Sequence, residues 1–278
     1  MSGSRSNLDG GSFELRVLSA LALAPLPIAA IWFGSPWLPI LTAAAAAVMA
    51  WEWGRLCRRG RRFGGAGLVL VGAVVAVVAA AALTRSVFAV ALALAGAALV
   101  FWAARAQSEN DGEAPWTAAG VLWVGLPCIA LLWLAHAEAR RATLLWLLAV
   151  VWATDIGAYA TGRLVGGPRL APRWSPRKTW SGLFGGMLSA GLVGWLTARL
   201  LGISPALPLM LTSAGLAIVE QFGDLAESMA KRRFGVKDSS GLIPGHGGLL
   251  DRLDGLLAVI PTVALLTLIG GRSVLLWR

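Results

Sequence analysis

Long apolar runs alternate with short polar segments along this chain, and the run lengths suit a bilayer better than a soluble core. Nine stretches stand out: 17–33, 37–53, 65–84, 87–104, 116–135, 142–160, 185–202, 205–223 and 255–271. At about 20 residues per helical crossing, the pattern predicts an all-α polytopic integral membrane protein with about nine transmembrane helices. It divides the chain into an N-terminal tail over 1–16, scaffold helices over 17–140 and a more polar transmembrane region over 141–278. Loops 161–184 and 224–254 belong to that last region. Residues 65–104 are almost entirely Ala, Val, Leu and Gly, with Arg85 their only charge, a composition that lets helices pack closely. An A-x-A triplet at Ala22-Leu23-Ala24 follows too short an apolar run for a secretory signal, so the first span is expected to be retained. There is no internal repeat of the kind that builds inverted-repeat transporters.

Composition sharpens this reading. Of 278 residues, 57% are hydrophobic and only 14% charged, against about 25% charged in ordinary soluble domains. A soluble globular enzyme is excluded. The net charge of +10 reports topology before it reports any partner, and no nucleic-acid ligand is expected. With the N-terminus in the cytoplasm, 18 of the 24 Lys and Arg fall on the inner side. The positive-inside bias therefore selects N-in and C-out, although Arg140 and Arg141 fall on the outer side. Trp37, Trp51, Trp53, Trp102, Trp116, Trp152 and Trp277 lie near span ends, as an interfacial belt requires. The basic cluster Arg55–Arg62 reads as topogenic, with contact to anionic headgroups as a second use. Two Cys and two His are too few for a zinc site or a disulfide framework. A metal would be held mainly by carboxylates, which favours a hard ion such as Mg²⁺.

The residues suited to chemistry lie between about 150 and 255. Asp155 sits inside the sixth stretch, and Tyr159, the one Tyr of the chain, follows a helical turn later on the same face. An ionisable residue at membrane depth is a functional-site hypothesis by default, but a satisfied structural carboxylate is an equal alternative for Asp155. At the end of the eighth stretch, Glu220, Asp224, Glu227, Ser228 and Lys231 recur at i, i+4, i+7, i+8 and i+11, one face of a helix. A solvated cytoplasmic extension accounts for Glu227 through Arg233; it does not account for Glu220 and Asp224. A Gly-rich loop from Lys237-Asp238 to Gly247-Gly248 then returns to the membrane at Asp251-Arg252-Leu253-Asp254. Glycine amides without a Cβ approach phosphate oxygens closely, and a helix N-terminus favours anions. Convergence of Asp224 with Asp251 and Asp254, among Lys231, Arg232, Lys237 and Arg252, is the mixture expected for Mg²⁺ and polyphosphate together. A second basic segment, Ser175-Pro176-Arg177-Lys178-Thr179 followed by Gly182, Gly185 and Gly186, offers further phosphate donors. It is not a Walker A motif.

The thirteen positions Ser228, Lys231, Arg232, Lys237, Asp238, Pro244, Gly245, His246, Gly247, Gly248, Asp251, Arg252 and Asp254, at fixed spacing over about 27 residues, resemble the C-terminal motif of the phosphatidate cytidylyltransferases (CDP-diacylglycerol synthases). The segments around Asp155, Ser175–Thr179 and Gly223–Ser228 look like further elements of that family. One departure is Ser181, where many members have Glu.

The resemblance implies transfer of CMP from CTP to phosphatidic acid, giving CDP-diacylglycerol and pyrophosphate, in a homodimer of nine-span subunits in a bacterial inner membrane. It implies Mg²⁺, with a monovalent cation such as K⁺ nearby. Mapped on this chain, Asp224 and Asp251 become metal ligands, with Asp254 as a third. Ser175, Lys178, Thr179, Ser228, Lys231, Arg232, Lys237, Arg252, Gly247 and Gly248 become phosphate or substrate contacts. His246 becomes a donor to phosphate or a turn residue, and Asp238 a ligand contact or an orienting partner of Lys237. No role is assigned to Ser181. Two rival readings remain: a CTP-dependent polyprenol or lipid kinase, and an ion transporter using Asp155, Glu220 and Asp224 as a relay. The transporter leaves the Gly-rich loop unexplained.

Overall fold

The computed structural model describes residues 22–58, 63–84, 88–107, 112–243 and 247–277. Each apolar stretch corresponds to one helix: α1 (Pro25–Phe33), α2 (Trp37–Cys57), α3 (Gly65–Thr84), α4 (Phe88–Gln107), α5 (Ala114–Leu134), α6 (Arg140–Leu164), α7 (Trp180–Leu200), α8 (Leu207–Arg233) and α9 (Leu250–Ile269). Six of these, α3 to α7 and α9, are long and apolar enough to cross a membrane. The chain is a helical, multi-pass membrane protein. Helices are the form expected, because in hydrocarbon every backbone N–H and C=O must find its partner within the segment. The tail over 1–16, Arg59 to Arg62, Arg85 and the expected site residue His246 lie outside the described residues.

Two buried cores divide the bundle. One gathers α2 to α5 around Trp53, Leu70, Val74, Val77, Val121 and Val124. The other gathers α6 to α9 with α1 around Leu147, Val150, Leu216 and Val263. Helix α9 belongs to both: Leu250 and Leu257 enter the first core, and Leu256, Val259, Ile260 and Val263 the second. The helix whose first turn carries Asp251 and Asp254 is thus held on two sides.

The structure departs from the sequence expectation in four places. The chain is not purely helical, since Arg169–Ala171 (β1) and Ser175–Thr179 (β2) pair antiparallel between α6 and α7. Helix α7 starts at Trp180 rather than near 185, because the Thr179 hydroxyl accepts from the Gly182 amide at 3.1 Å and caps it. The end of α8 is not a solvated extension throughout, since Glu227 and Ala230 are buried. Trp53 is no belt residue: it is buried, donates from Nε1 to the Trp116 carbonyl at 2.7 Å and stacks on Trp123. Trp37 and Trp102 do stand outward.

Candidate active site

The site begins with the crossing of α8 and α9. A Cβ at Gly223 would lie 2.8 Å from the Asp254 carbonyl oxygen, and one at Gly255 would lie 2.6 Å from Cγ of Glu220. Glycine at these two positions lets the helices touch where their carboxylates are. Asp224 and Asp254 consequently face each other across the crossing, close enough for each charge to act on the other. Asp155 joins them from α6, its carboxyl meeting that of Glu220. Glu220 is buried and takes a hydrogen bond from Gln221 Nε2 at 2.7 Å.

Hairpin β1–β2 delivers the main counter-charge. Lys178, near the end of β2, places Nζ 2.5 Å from Oδ2 of Asp224. The hairpin is tied at its base by the Trp180 amide donating to the Pro168 carbonyl and by the Ser181 hydroxyl donating to the Gly166 carbonyl. At its tip, Arg232 Nε donates to the Trp174 carbonyl at 3.4 Å. Thr179 is buried as the cap of α7, and Ser175 is half-buried in β2. Ser181 therefore serves local geometry. Tyr159, exposed on α6, accepts from Arg163 at 2.7 Å.

Asp251 anchors the opposite side. Its Oδ2 accepts from the Ser239 amide, the Ser239 hydroxyl and the Gly248 amide, each at 2.9 Å, and its Oδ1 accepts from Lys231 Nζ at 2.6 Å. Lys231 Nζ also lies 3.1 Å from Glu227 Oε1 as an ion pair. These two groups sit past the apolar stretch of α8. Burial, then the charge of Asp254, holds the Glu227 carboxyl well above the usual carboxylate range. Burial pulls Lys231 down, but Glu227 and Asp251 outweigh it and hold the ammonium above the ordinary lysine value. Lys231 thus bridges the two carboxylates and lies closer to Asp251.

Of the other expected site residues, Ser228 donates to Asp224 Oδ1 at 3.2 Å. Arg252, Lys237 and Asp238 are exposed beside the cluster, and Arg252 acts electrostatically on Asp155. The Gly248 amide is already engaged by Asp251, and Gly247 is half-buried with its amide bridged to the Ile243 carbonyl at 3.1 Å.

The donor set suits a hard divalent cation. Asp155, Glu220, Asp224, Glu227, Asp251 and Asp254 outnumber Lys178, Lys231 and Arg252 in one region. Oδ1 of Asp254 takes the Gly255 amide at 2.8 Å, while its Oδ2 has no donor among the described residues. Among the described residues no group of three or more acidic, His or Cys side chains is placed to hold a metal ion by itself. An open arrangement is what Mg²⁺ uses when substrate phosphates complete its coordination.

Sequence reasoning overlooked Glu52 of α2, which is fully buried and accepts from Ser240 Oγ at 2.5 Å and from the Leu249 and Leu250 amides at 3.0 and 2.6 Å. The available signal was a carboxylate within an apolar stretch, the same signal that singled out Asp155. Nothing in the local sequence marks Ser239 and Ser240 as donors to Asp251 and Glu52.

A sequence model described as the cytidylyltransferase family matches residues 14–269. A protein of Brucella suis named phosphatidate cytidylyltransferase is 37% identical over 265 residues, covering 93% of this chain and 93% of its own. One of that name from Pseudomonas aeruginosa is 35% identical over 263 residues, covering 90% and 95%. A third, from Haemophilus influenzae, is 44% identical over 123 residues, covering 42% and 43%.

Proposed function

The chain belongs to the cytidylyltransferase family, and from that premise we propose that it transfers CMP from CTP to phosphatidic acid, releasing CDP-diacylglycerol and pyrophosphate. A phosphate oxygen of phosphatidate forms the new bond to the CTP α-phosphorus as the bond to pyrophosphate breaks. That oxygen is already anionic at neutral pH, so neither a Ser or Cys nucleophile nor a general base is required. The protein's task is to hold two polyanions together and offset charge on the leaving group, the usual work of phosphoryl-type transfer.

The observation that carries this reading is the pairing of Lys178 with Asp224 and Lys231 with Asp251 at one end of α8 and α9. Asp224, Asp251 and Asp254 would hold a divalent cation such as Mg²⁺, with a monovalent ion such as K⁺ nearby. Bound there, the divalent ion supplies charge neutralisation at the phosphates. Lys178 and Lys231 would offer their ammonium groups to phosphate oxygens of the substrates. Arg252, Lys237 and Arg232 add positive charge around the Gly-rich loop, and Ser175, Thr179, Ser228, Asp238, Gly247 and Gly248 shape the substrate contacts. His246 has one of two roles, a donor to phosphate or the leaving pyrophosphate or a turn residue of the loop.

The wider reading has α1 and α2 complete, with α3 to α9, nine spans arranged N-in and C-out in a bacterial inner membrane. The chain forms a homodimer whose site faces cytoplasmic CTP. Purified protein in mixed micelles with α-³²P-CTP, phosphatidic acid and Mg²⁺ tests the reaction. Label in the lipid with equimolar pyrophosphate, abolished by EDTA, supports it. Lipid label from γ-³²P-CTP instead would make the protein a kinase, and no label from either would overturn the reading.

A further inference from the structure

Glu52 lies in the N-terminal half of the chain, 188 residues in sequence from its hydroxyl partner Ser240. Its side chain is fully enclosed. A carboxylate in that setting is costly unless hydrogen bonds replace its water. Its three donors are specific. Ser240 Oγ and the Leu249 amide reach Oε1, and the Leu250 amide reaches Oε2. Leu249 is the N-cap residue of α9 and has no side-chain acceptor to cap the helix itself. The first amides of a helix have no intrahelical partner, and here a carboxylate from another helix takes them, with the added benefit of negative charge at a helix N-terminus.

Asp251 completes the arrangement. The consecutive amides of Gly248, Leu249 and Leu250 go to Asp251, Glu52 and Glu52 in turn. Asp251 also takes the amide and hydroxyl of Ser239, next to the Ser240 that Glu52 holds. Both ends of the Gly-rich loop are therefore gripped by two carboxylates, one from α9 and one from α2. Position 248 must be glycine for this to work, since a Cβ there would fall 2.5 Å from Glu52 Oε1 and would clash with Ser239 Oγ. Helix α2 is itself fixed at the same level by the Trp53 indole bonded to the Trp116 carbonyl.

Resting on the cytidylyl-transfer reading above, we propose that Glu52 is a positioning residue, which clamps the loop and the first turn of α9 so that Asp251 and Asp254 present their carboxylates in fixed register with Asp224 and Lys231. The scaffold helices thus contribute directly to the geometry of the site.

The test compares wild type with Glu52→Gln in full-length detergent-solubilised protein. Glutamine keeps the volume but replaces one acceptor oxygen with an NH₂ that meets a backbone N–H. Expected results are a kcat at least about 10-fold lower, the scale of losing a fixed electrostatic contact, and a raised Mg²⁺ half-saturation. Hydrogen exchange should quicken over 239–250 but not in α3 to α5. A purely structural role would lower the folded fraction while leaving Mg²⁺ half-saturation and KM unchanged. Ser240→Ala removes one donor without disturbing the buried carboxylate, and should shift both readouts in the same direction by less. Wild-type kcat and Mg²⁺ dependence in Glu52→Gln overturns the proposal; so does unchanged Mg²⁺ dependence in Ser240→Ala if Glu52→Gln does not fold. Unchanged exchange over 239–250 in a folded Glu52→Gln also overturns it, and needs no activity. Absence of cytidylyl transfer in wild type would instead sink the reaction assigned to the protein, leaving the exchange comparison to judge the clamp.

Discussion

Gly223 on α8 packs directly against the backbone of Asp254 on α9. A Cβ at position 223 would stand 2.8 Å from the Asp254 carbonyl oxygen and 2.7 Å from the Ala258 methyl. Neither neighbour is the free end of a flexible side chain, so the helices themselves would have to separate. Because Asp224 and Asp254 flank this contact, their separation is set by what residue 223 lacks.

Gly223→Ala should therefore lower stability by about 1–3 kcal/mol, the usual range for overpacking, and reduce activity beyond what the loss of folded protein explains. Gly215, also on α8, has open space where a Cβ would go. Gly215→Ala should be neutral or stabilise by about 0.5–1 kcal/mol, because glycine in a helix interior costs backbone entropy. Thermal unfolding in detergent with turnover per folded protein distinguishes the two. Equal effects at both positions would mean that the close approach does not set the site.

The ion pair of Lys178 with Asp224 gives a second prediction. Asp224→Asn should leave the protein folded, lower turnover by at least about 10² and raise the Mg²⁺ concentration needed for half-maximal rate. Lys178→Gln should raise KM for CTP as well as lower kcat. The exchange Lys178→Asp with Asp224→Lys keeps a pair in place yet should not restore activity, since each residue has its own ligand. Recovery in that double variant would reduce the pair to a structural tie.

The run of helices was legible because apolar length alone marks a crossing segment. The spacing of the carboxylates Glu220, Asp224 and Glu227 and of Lys231 was legible because helical periodicity puts them on one face. The hairpin was not: β1 is three residues long, Pro168, Pro172 and Pro176 punctuate it, and its pairing leaves no alternating pattern to read. The start of α7 was placed late because Trp180, Ser181 and Gly182 dilute hydropathy, whereas a cap at Thr179 decides the boundary. Glu52 escaped notice because its partners at 240, 249 and 250 are far away in sequence. No local window relates them. Asp155 was visible as a carboxylate within an apolar stretch, but only the folded chain shows that its neighbour is Glu220.

Asp251 accepts four hydrogen bonds, so its replacement should be felt in the loop as well as in the reaction. Asp251→Asn offers one acceptor oxygen where there were two and presents an NH₂ to existing donors. Turnover should fall by at least about 10², and hydrogen exchange over 237–248 should accelerate while the helices keep their protection. The Lys231 partner is largely buried, and removing one member of a buried pair costs about 3–5 kcal/mol. Lys231→Met combined with Asp251→Asn should therefore be more stable than Asp251→Asn alone, although equally inactive. An Asp251→Asn protein with wild-type exchange and turnover would remove this residue from the site.

Sidedness follows from positions that flank a single helix. Arg173 in the hairpin and Ser204 after α7 are both exposed, and the 21 residues of α7 span about 30 Å at 1.5 Å per residue, the thickness of the hydrocarbon core. Cys57 and Cys128 are buried thiols, so they should stay silent to a membrane-impermeant maleimide and leave a clean background for single cysteines. On intact cells opened only at the outer face, Ser204→Cys should react at once and Arg173→Cys only after permeabilisation. The reverse order would invert the N-in and C-out arrangement and put the carboxylate cluster on the side away from CTP. Reaction of both from the same face would show that α7 does not cross. Only the expected order is compatible with Lys178, four residues past the hairpin tip in sequence from Trp174, meeting a cytoplasmic nucleotide.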